Sequence, residues 1–172
     1  MPKVIVSYLS GDQPPLGQTV ANAISSKFGH GVAVNGVASV IRPGDDYEDA
    51  ITHAVESCDA LVLVVGHQWG TAVNWEDEAN YDRVAILHAL NHKKRIIPVL
   101  VDGAKIPANL PGEMAKLGRR SAIEVQSASS NAGITQLLNV ISEFIGAMPQ
   151  YPPQQQMPQQ PPYQQQYRPP QQ

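Results

Sequence analysis

The chain has 172 residues, with 12 Lys plus Arg against 15 Asp plus Glu and a formal net charge of −3. That length holds one domain with a substantial core, and so even a balance excludes the basic stripe with which a dedicated nucleic-acid binder meets phosphate. Cys58 is the only cysteine, which excludes an internal disulfide and a cysteine-rich zinc site and suits a reducing compartment. Met1-Pro2-Lys3 runs straight into a strand-like stretch, and the longest apolar run, Ala60 to Gly66, is too short to span a bilayer. A cytoplasmic protein is expected, with neither nucleic acid nor membrane as partner.

Lys3 to Leu9 (KVIVSYL) is apolar and β-branched with Gly11 behind it, the pattern of a buried strand. Leu16 to Phe28 carries Leu16, Val20, Ala23, Ile24 and Phe28 at helical spacing and stops at Gly29 and Gly31. Gly31 to Asn35 is a short second strand, followed by a long loop to Pro43-Gly44. Asp45 or Asp46 can cap the next helix, whose apolar stripe is Tyr47, Ala50, Ile51, Ala54 and Val55. Asp59 to Gly66 (DALVLVVG) is nearly continuous apolar, as a central strand covered on both faces should be. Ala79 to Asn91 reads as a helix and Arg95 to Asp102 as the fourth strand, which Pro98 pushes toward an edge or a bulge. A proline-broken segment then holds Leu110, Met114 and Leu117, Ala122 to Val125 is a fifth strand, and Ile134, Leu137, Leu138, Ile141 and Ile145 form the last helical face.

Composition changes near Met148. From Pro149 to Gln172 there are 11 Gln and 8 Pro among 24 residues, too little apolar area to offset chain entropy. The domain is therefore expected to be residues 1–148, with 149–172 a disordered Pro/Gln-rich tail.

Five strands alternating with five helical segments predict an α/β flavodoxin-like fold: a five-stranded parallel sheet in the order 2-1-3-4-5 with helices on both faces. Its ligand crevice lies beyond the carboxyl ends of strands one and three, where the winding reverses. Ser10 to Pro15, the loop Gly36 to Gly44 and the segment His67 to Asn74 converge there. A phosphorelay receiver would need a carboxylate at the end of strand three and an acidic pair after strand one; strand three ends Val65-Gly66-His67, and Asp12 stands alone. A phosphate cradle needs a glycine-rich loop feeding a helix, whereas Ser10-Gly11-Asp12-Gln13-Pro14-Pro15 has one glycine, an acid and two prolines. The histidines lack metal-ligand spacing, and His88 with His92 reads as a surface pair, so no metal is expected.

Several phrases remain, in order and well spaced. Ile5-Val6-Ser7-Tyr8 is like "F-I-S-Y"; Ile41-Arg42-Pro43-Gly44-Asp45-Asp46-Tyr47 is like "I-x-P-G-x-x-F"; Ala54 to Trp69, through Cys58-Asp59 and Gly66, follows "A-I-x-x-C-D-v-l-l-v-v-I-G-x-x-W". Arg95 to Ala104, Leu110-Pro111 and Arg119-Arg120-Ser121-Ala122 continue the pattern. Over residues 3 to about 145 the chain resembles the prokaryotic-type TIR (Toll/interleukin-1 receptor) domain of the NAD⁺-cleaving class.

The resemblance implies immune or defence signalling through self-assembly and cleavage of the nicotinamide–ribose bond, with NAD⁺ as substrate and no prosthetic group. The family's catalytic glutamate stands in W/F-x-x-x-E-I, which here reads Tyr81-Asp82-Arg83-Val84-Ala85-Ile86. Tyr81 keeps the aromatic and Ala85 replaces the acid. Such a carboxylate steadies the cationic sugar left by the departing ring, as in glycoside hydrolysis, and a methyl group cannot; introduced or inherited, the alanine implies an inactive chain. Asp82 is three residues earlier with a shorter side chain, which does not favour it as a substitute. Taken alone, Ala85 is an ordinary helix former and Arg42 a solvated loop residue, and Trp69 and Tyr81 suit packing as well as a site. The resemblance places NAD⁺ against Tyr8, Leu9, Ser10, Arg42, Gly44, Gly66, His67 and Trp69. Contacts with other TIR domains, in a homo-oligomer or filament, are expected at Val37, Val40 and Ile41, apolar loop side chains that lie in water for an interface to cover unless they fold back onto the domain's own helices. The alternative is a non-enzymatic adaptor acting through TIR–TIR contacts alone.

Overall fold

The sheet is built around Ala60–Val65 (β3), six residues that are all buried, as a strand covered on both faces must be. In the computed structural model, which describes residues 3–9, 11 and 16–145, β1 (Val4–Tyr8) and β4 (Arg95–Val101) flank it. β2 (Ala33–Asn35) lies outside β1, and β5 (Ile123–Val125) outside β4. Every pairing is parallel, and the order β2-β1-β3-β4-β5 is the expected flavodoxin-like one. The Pro/Gln-rich tail expected from residue 149 lies outside the described residues.

Alternation along the strands sorts the core into two layers. Val4, Val6, Val62 and Val99 meet Val20 and Ile24 of α1 (Leu16–Phe28) and Leu137 and Ile141 of α4 (Asn131–Ile145). Ile5, Leu61, Leu63 and Ile96 meet Ile51 and Val55 of α2 (Tyr47–Ser57) and Ile86 and Ala89 of α3 (Tyr81–Asn91). Gly133 lets α4 settle on β5, since a Cβ there would stand 2.6 Å from the Glu124 carbonyl oxygen.

Helix starts follow cap chemistry. Asp46 accepts from the N–H groups of Glu48 and Asp49 at 2.9 and 3.2 Å. Asn80 accepts from Arg83 N at 2.9 Å, so the helix expected from Ala79 begins at Tyr81. Each cap satisfies donors that the first turn would leave open.

Two expectations are corrected, and one is sharpened. Pro98 sits in an interior strand, paired with Leu63 of β3; β5 begins one residue later, opposite Val99, so no β5 partner is asked to bond to the missing N–H. The proline-broken segment between β4 and β5 is a 3-10 helix, Gly112–Arg119, that buries Met114 and Leu117, the expected helical piece beside four α-helices among the described residues. Val37 does not lie in water: a short 3-10 turn, Val37–Val40, tucks it into the α2–α3 layer at 3% exposure, and Val40 and Ile41 pack partly against the same layer.

Candidate functional site

β1 ends at the winding reversal, and alternation sends its last two side chains to opposite faces. Ser7 follows Ile5 toward α2 and α3, where it is 0% exposed. There its Oγ donates to Asp82 Oδ1, on the first turn of α3, at 2.6 Å. Burial raises the Asp82 pKa above the ordinary carboxylate value, and the Ser7 hydrogen bond opposes that rise. Among the described residues no cation lies within ion-pair distance of Asp82; the neighbouring Arg83 makes no ion pair with it, and its buried Nε has no partner.

One residue earlier the helix turns outward. Tyr81 is 40% exposed, and its ring centroid lies 5.3 Å from that of Tyr47 at a tilt of 38°. The starts of α2 and α3 thus present two aromatic rings beside the carboxylate-bearing turn. One turn further on, Ala85 is 0% exposed within the α2–α3 layer. Asp82 and Ala85 share a helix face by their three-residue spacing.

Tyr8 points to the other side of the sheet. Its hydroxyl donates to Asn35 Oδ1 at 2.9 Å, and its ring lies so close to Gly17 of α1 that any Cβ there would overlap it. Leu9 packs partly against the α2–α3 layer. Ser10 lies outside the described residues. Arg42 is exposed, with its N–H donated to Asp45 Oδ2 at 3.1 Å. Gly44 takes φ 95° to close that turn, a conformation costly for other residues. Arg42 also lines a groove of about 450 Å³ with Val34, Val40, Asp45, His53 and Ser57.

Beyond β3, Gly66 is buried, and its carbonyl accepts from Trp69 N at 3.3 Å. His67 is exposed on the side of Asp102. The Ser127 hydroxyl and N–H hold the Asp102 carboxyl below its ordinary range, and His67 adds a smaller pull. Trp69 is 1% exposed and packs on Trp75, ring centroids 4.3 Å apart.

The structure therefore pairs Ser7 with Asp82, and Tyr47 with Tyr81, at the starts of α2 and α3, and sends Tyr8 to the other face of the sheet. Ser7 and Tyr47 stand inside the matching phrases but were not named as site residues; a further signal for Ser7 is a hydroxyl inside an otherwise apolar strand. Trp75 also escaped notice as the partner of Trp69. Two chemistries are unsupported among the described residues. No group of three or more His, Cys, Asp or Glu is arranged to hold a metal. The Cys58 thiol, pushed up to about 11 by burial, is a poor nucleophile. No described helix is long and apolar enough to cross a membrane.

A doubly wound parallel sheet with its polar cluster at the switch point defines a flavodoxin-like α/β domain. Within that class, the family model described as "TIR domain" matches residues 4–138, and the chain belongs to the TIR domain family. That membership carries a signalling function in general terms, and TIR domains generally interact with other TIR domains. No curated protein matches the chain at a significant level.

Proposed function

We propose that this TIR domain takes NAD⁺ as its substrate, with no prosthetic group, at the crevice between the end of β1 and the start of α3. Its chemistry is cleavage of the nicotinamide–ribose bond, which this chain performs poorly. The C–N bond breaks and its electron pair leaves with neutral nicotinamide. A water oxygen, or a nucleophile of the same ligand in a cyclisation, then bonds to the anomeric carbon, and the proton passes to solvent. A carboxylate beside the cationic sugar is worth on the order of several kcal/mol in a dry site. The observation that carries the reading is Ala85: the position that the resemblance gives to that acid holds a methyl group, fully enclosed, one turn after Tyr81 and Asp82.

Ala85→Glu should raise NAD⁺ consumption by about a hundredfold or more. Ala85→Gln, of equal bulk and no charge, should leave it at the level of the parent chain. If both variants keep their circular dichroism spectra and Ala85→Glu remains inert, the enzyme reading gives way to the adaptor.

A second reading rests on Val40 and Ile41, which are only partly buried; Val40 also lines the 450 Å³ groove. In this reading the domain signals in the cytoplasm, in immune or defence responses, by assembling with other TIR domains through the loop 36–44. Contact between unlike patches would build filaments unless the rotation closes. Ile41→Asp should abolish large assemblies in light scattering while the helical signal persists. A parent chain monomeric at every concentration would end the assembly proposal.

A further inference from the structure

Asp82 breaks an ordinary packing rule. A carboxylate drawn out of water costs stability unless a cation or several donors compensate it, and here the protein supplies one neutral hydroxyl. Oδ1 takes that bond. Oδ2 has no hydrogen-bond partner among the described residues, yet it is not one of the buried side-chain atoms sealed from solvent. Arg83, next in sequence, leaves the charge uncompensated. The Tyr47–Tyr81 rings stand at the same helix starts, and aromatic faces favour cations. A partly reachable acid without a cation, on the helix turn that also carries Tyr81 and its ring partner Tyr47, is complementary to a cationic planar ring carrying hydroxyl donors.

We propose that Asp82, seated by Ser7, is the ligand-holding carboxylate of this crevice, and that it takes a pyridinium ribonucleoside with Tyr47 and Tyr81 as its aromatic rim. The proposal rests on the NAD⁺ reading above and deepens it: the residue that holds the ligand differs from the position that has lost the acid. Oδ2 is free to accept from a ribose hydroxyl or to face the ring charge. Ser7 is a positioning residue that fixes the carboxylate by its other oxygen. A bound cation would also favour the ionised acid that burial alone disfavours.

A purely structural role is separable from this one. Asn in place of Asp82 keeps an oxygen that can accept from Ser7 Oγ, so the staple between β1 and α3 survives while the charge goes. In calorimetry on the full chain, Asp82→Asn should weaken NAD⁺ binding about tenfold or more. It should weaken binding of ADP-ribose, which lacks the pyridinium charge, by less, with an unchanged or higher Tm. Ser7→Ala should loosen NAD⁺ binding by a smaller factor. If NAD⁺ binds the parent and Asp82→Asn equally, the proposal is overturned and the NAD⁺ reading stands. If neither the parent nor Ala85→Glu binds NAD⁺, both fall together.

Discussion

The two faces of the sheet are built to different standards. The buried side chains under α1 and α4 are apolar, with Val4, Val6, Val62, Leu137 and Ile141 interlocked and the Tyr8–Asn35 bond at the exposed rim. The layer under α2 and α3 holds the Ser7–Asp82 bond and a Thr52–His88 contact of 3.1 Å. It also holds Trp75 Nε1, Arg83 Nε and His88 Nδ1, buried and without partners. Sealing polar atoms costs stability that the first face does not give up. Folded sequences break packing rules chiefly where a site requires it. Both faces bury a large apolar cluster, and the buried polar atoms without partners among the described residues fall on the α2–α3 side.

The largest expected effect falls on the apolar face. Leu137→Ala, at a fully buried position, should cost about 2–5 kcal/mol in urea unfolding and leave NAD⁺ binding untouched at temperatures where the chain is folded. Binding lost in parallel with stability would erase the division between the faces.

Gly17→Ala probes the seam between that face and the end of β1. The helix gains roughly 1 kcal/mol in propensity, but the new methyl enters the Tyr8 ring, an overpacking that typically costs about 1–3 kcal/mol. A net loss of stability is expected, with a shift in Tyr8 fluorescence or NMR signals. A stabilised variant would show that Tyr8 moves aside without cost.

The smallest effect is a slope. The folded pKa of Asp82 is raised, chiefly by burial, so between the ordinary Asp value and that raised one the folded state holds a proton the unfolded chain has lost. This group's contribution is therefore most favourable in acid and is lost as pH rises through the folded pKa. Asp82→Asn should gain stability relative to the parent as pH rises above about 4, the difference levelling to a constant below it. A pH-independent difference in urea midpoint would mean that Asp82 titrates normally.

Much of this was legible along the chain. The unbroken apolar run of β3 placed it at the centre, helical spacing placed α1 and α4, and Asp46 and the glycines marked where helices start and stop. Each is a short-range signal, set by backbone period or by a side chain bonding two or three residues away. Tyr81 and Ala85 could be named from the chain because the phrase that frames them is continuous. The Ser7–Asp82 pair was not: its partners are 75 residues apart, and Asp82 looked merely one turn displaced from the position of interest.

Sequence by itself therefore determined the element order, the parallel sheet and the family, because period, caps and ordered phrases are local properties. Only tertiary structure decided which side chains share a site. Parallel register carried Ser7 to the α2–α3 face. Docking of α3 brought Asp82 onto it, the 3-10 turn hid Val37, and Trp75 drew Trp69 into the core. These choices depend on how helices settle on a finished sheet, where burial of whole faces outweighs the preference of any one residue.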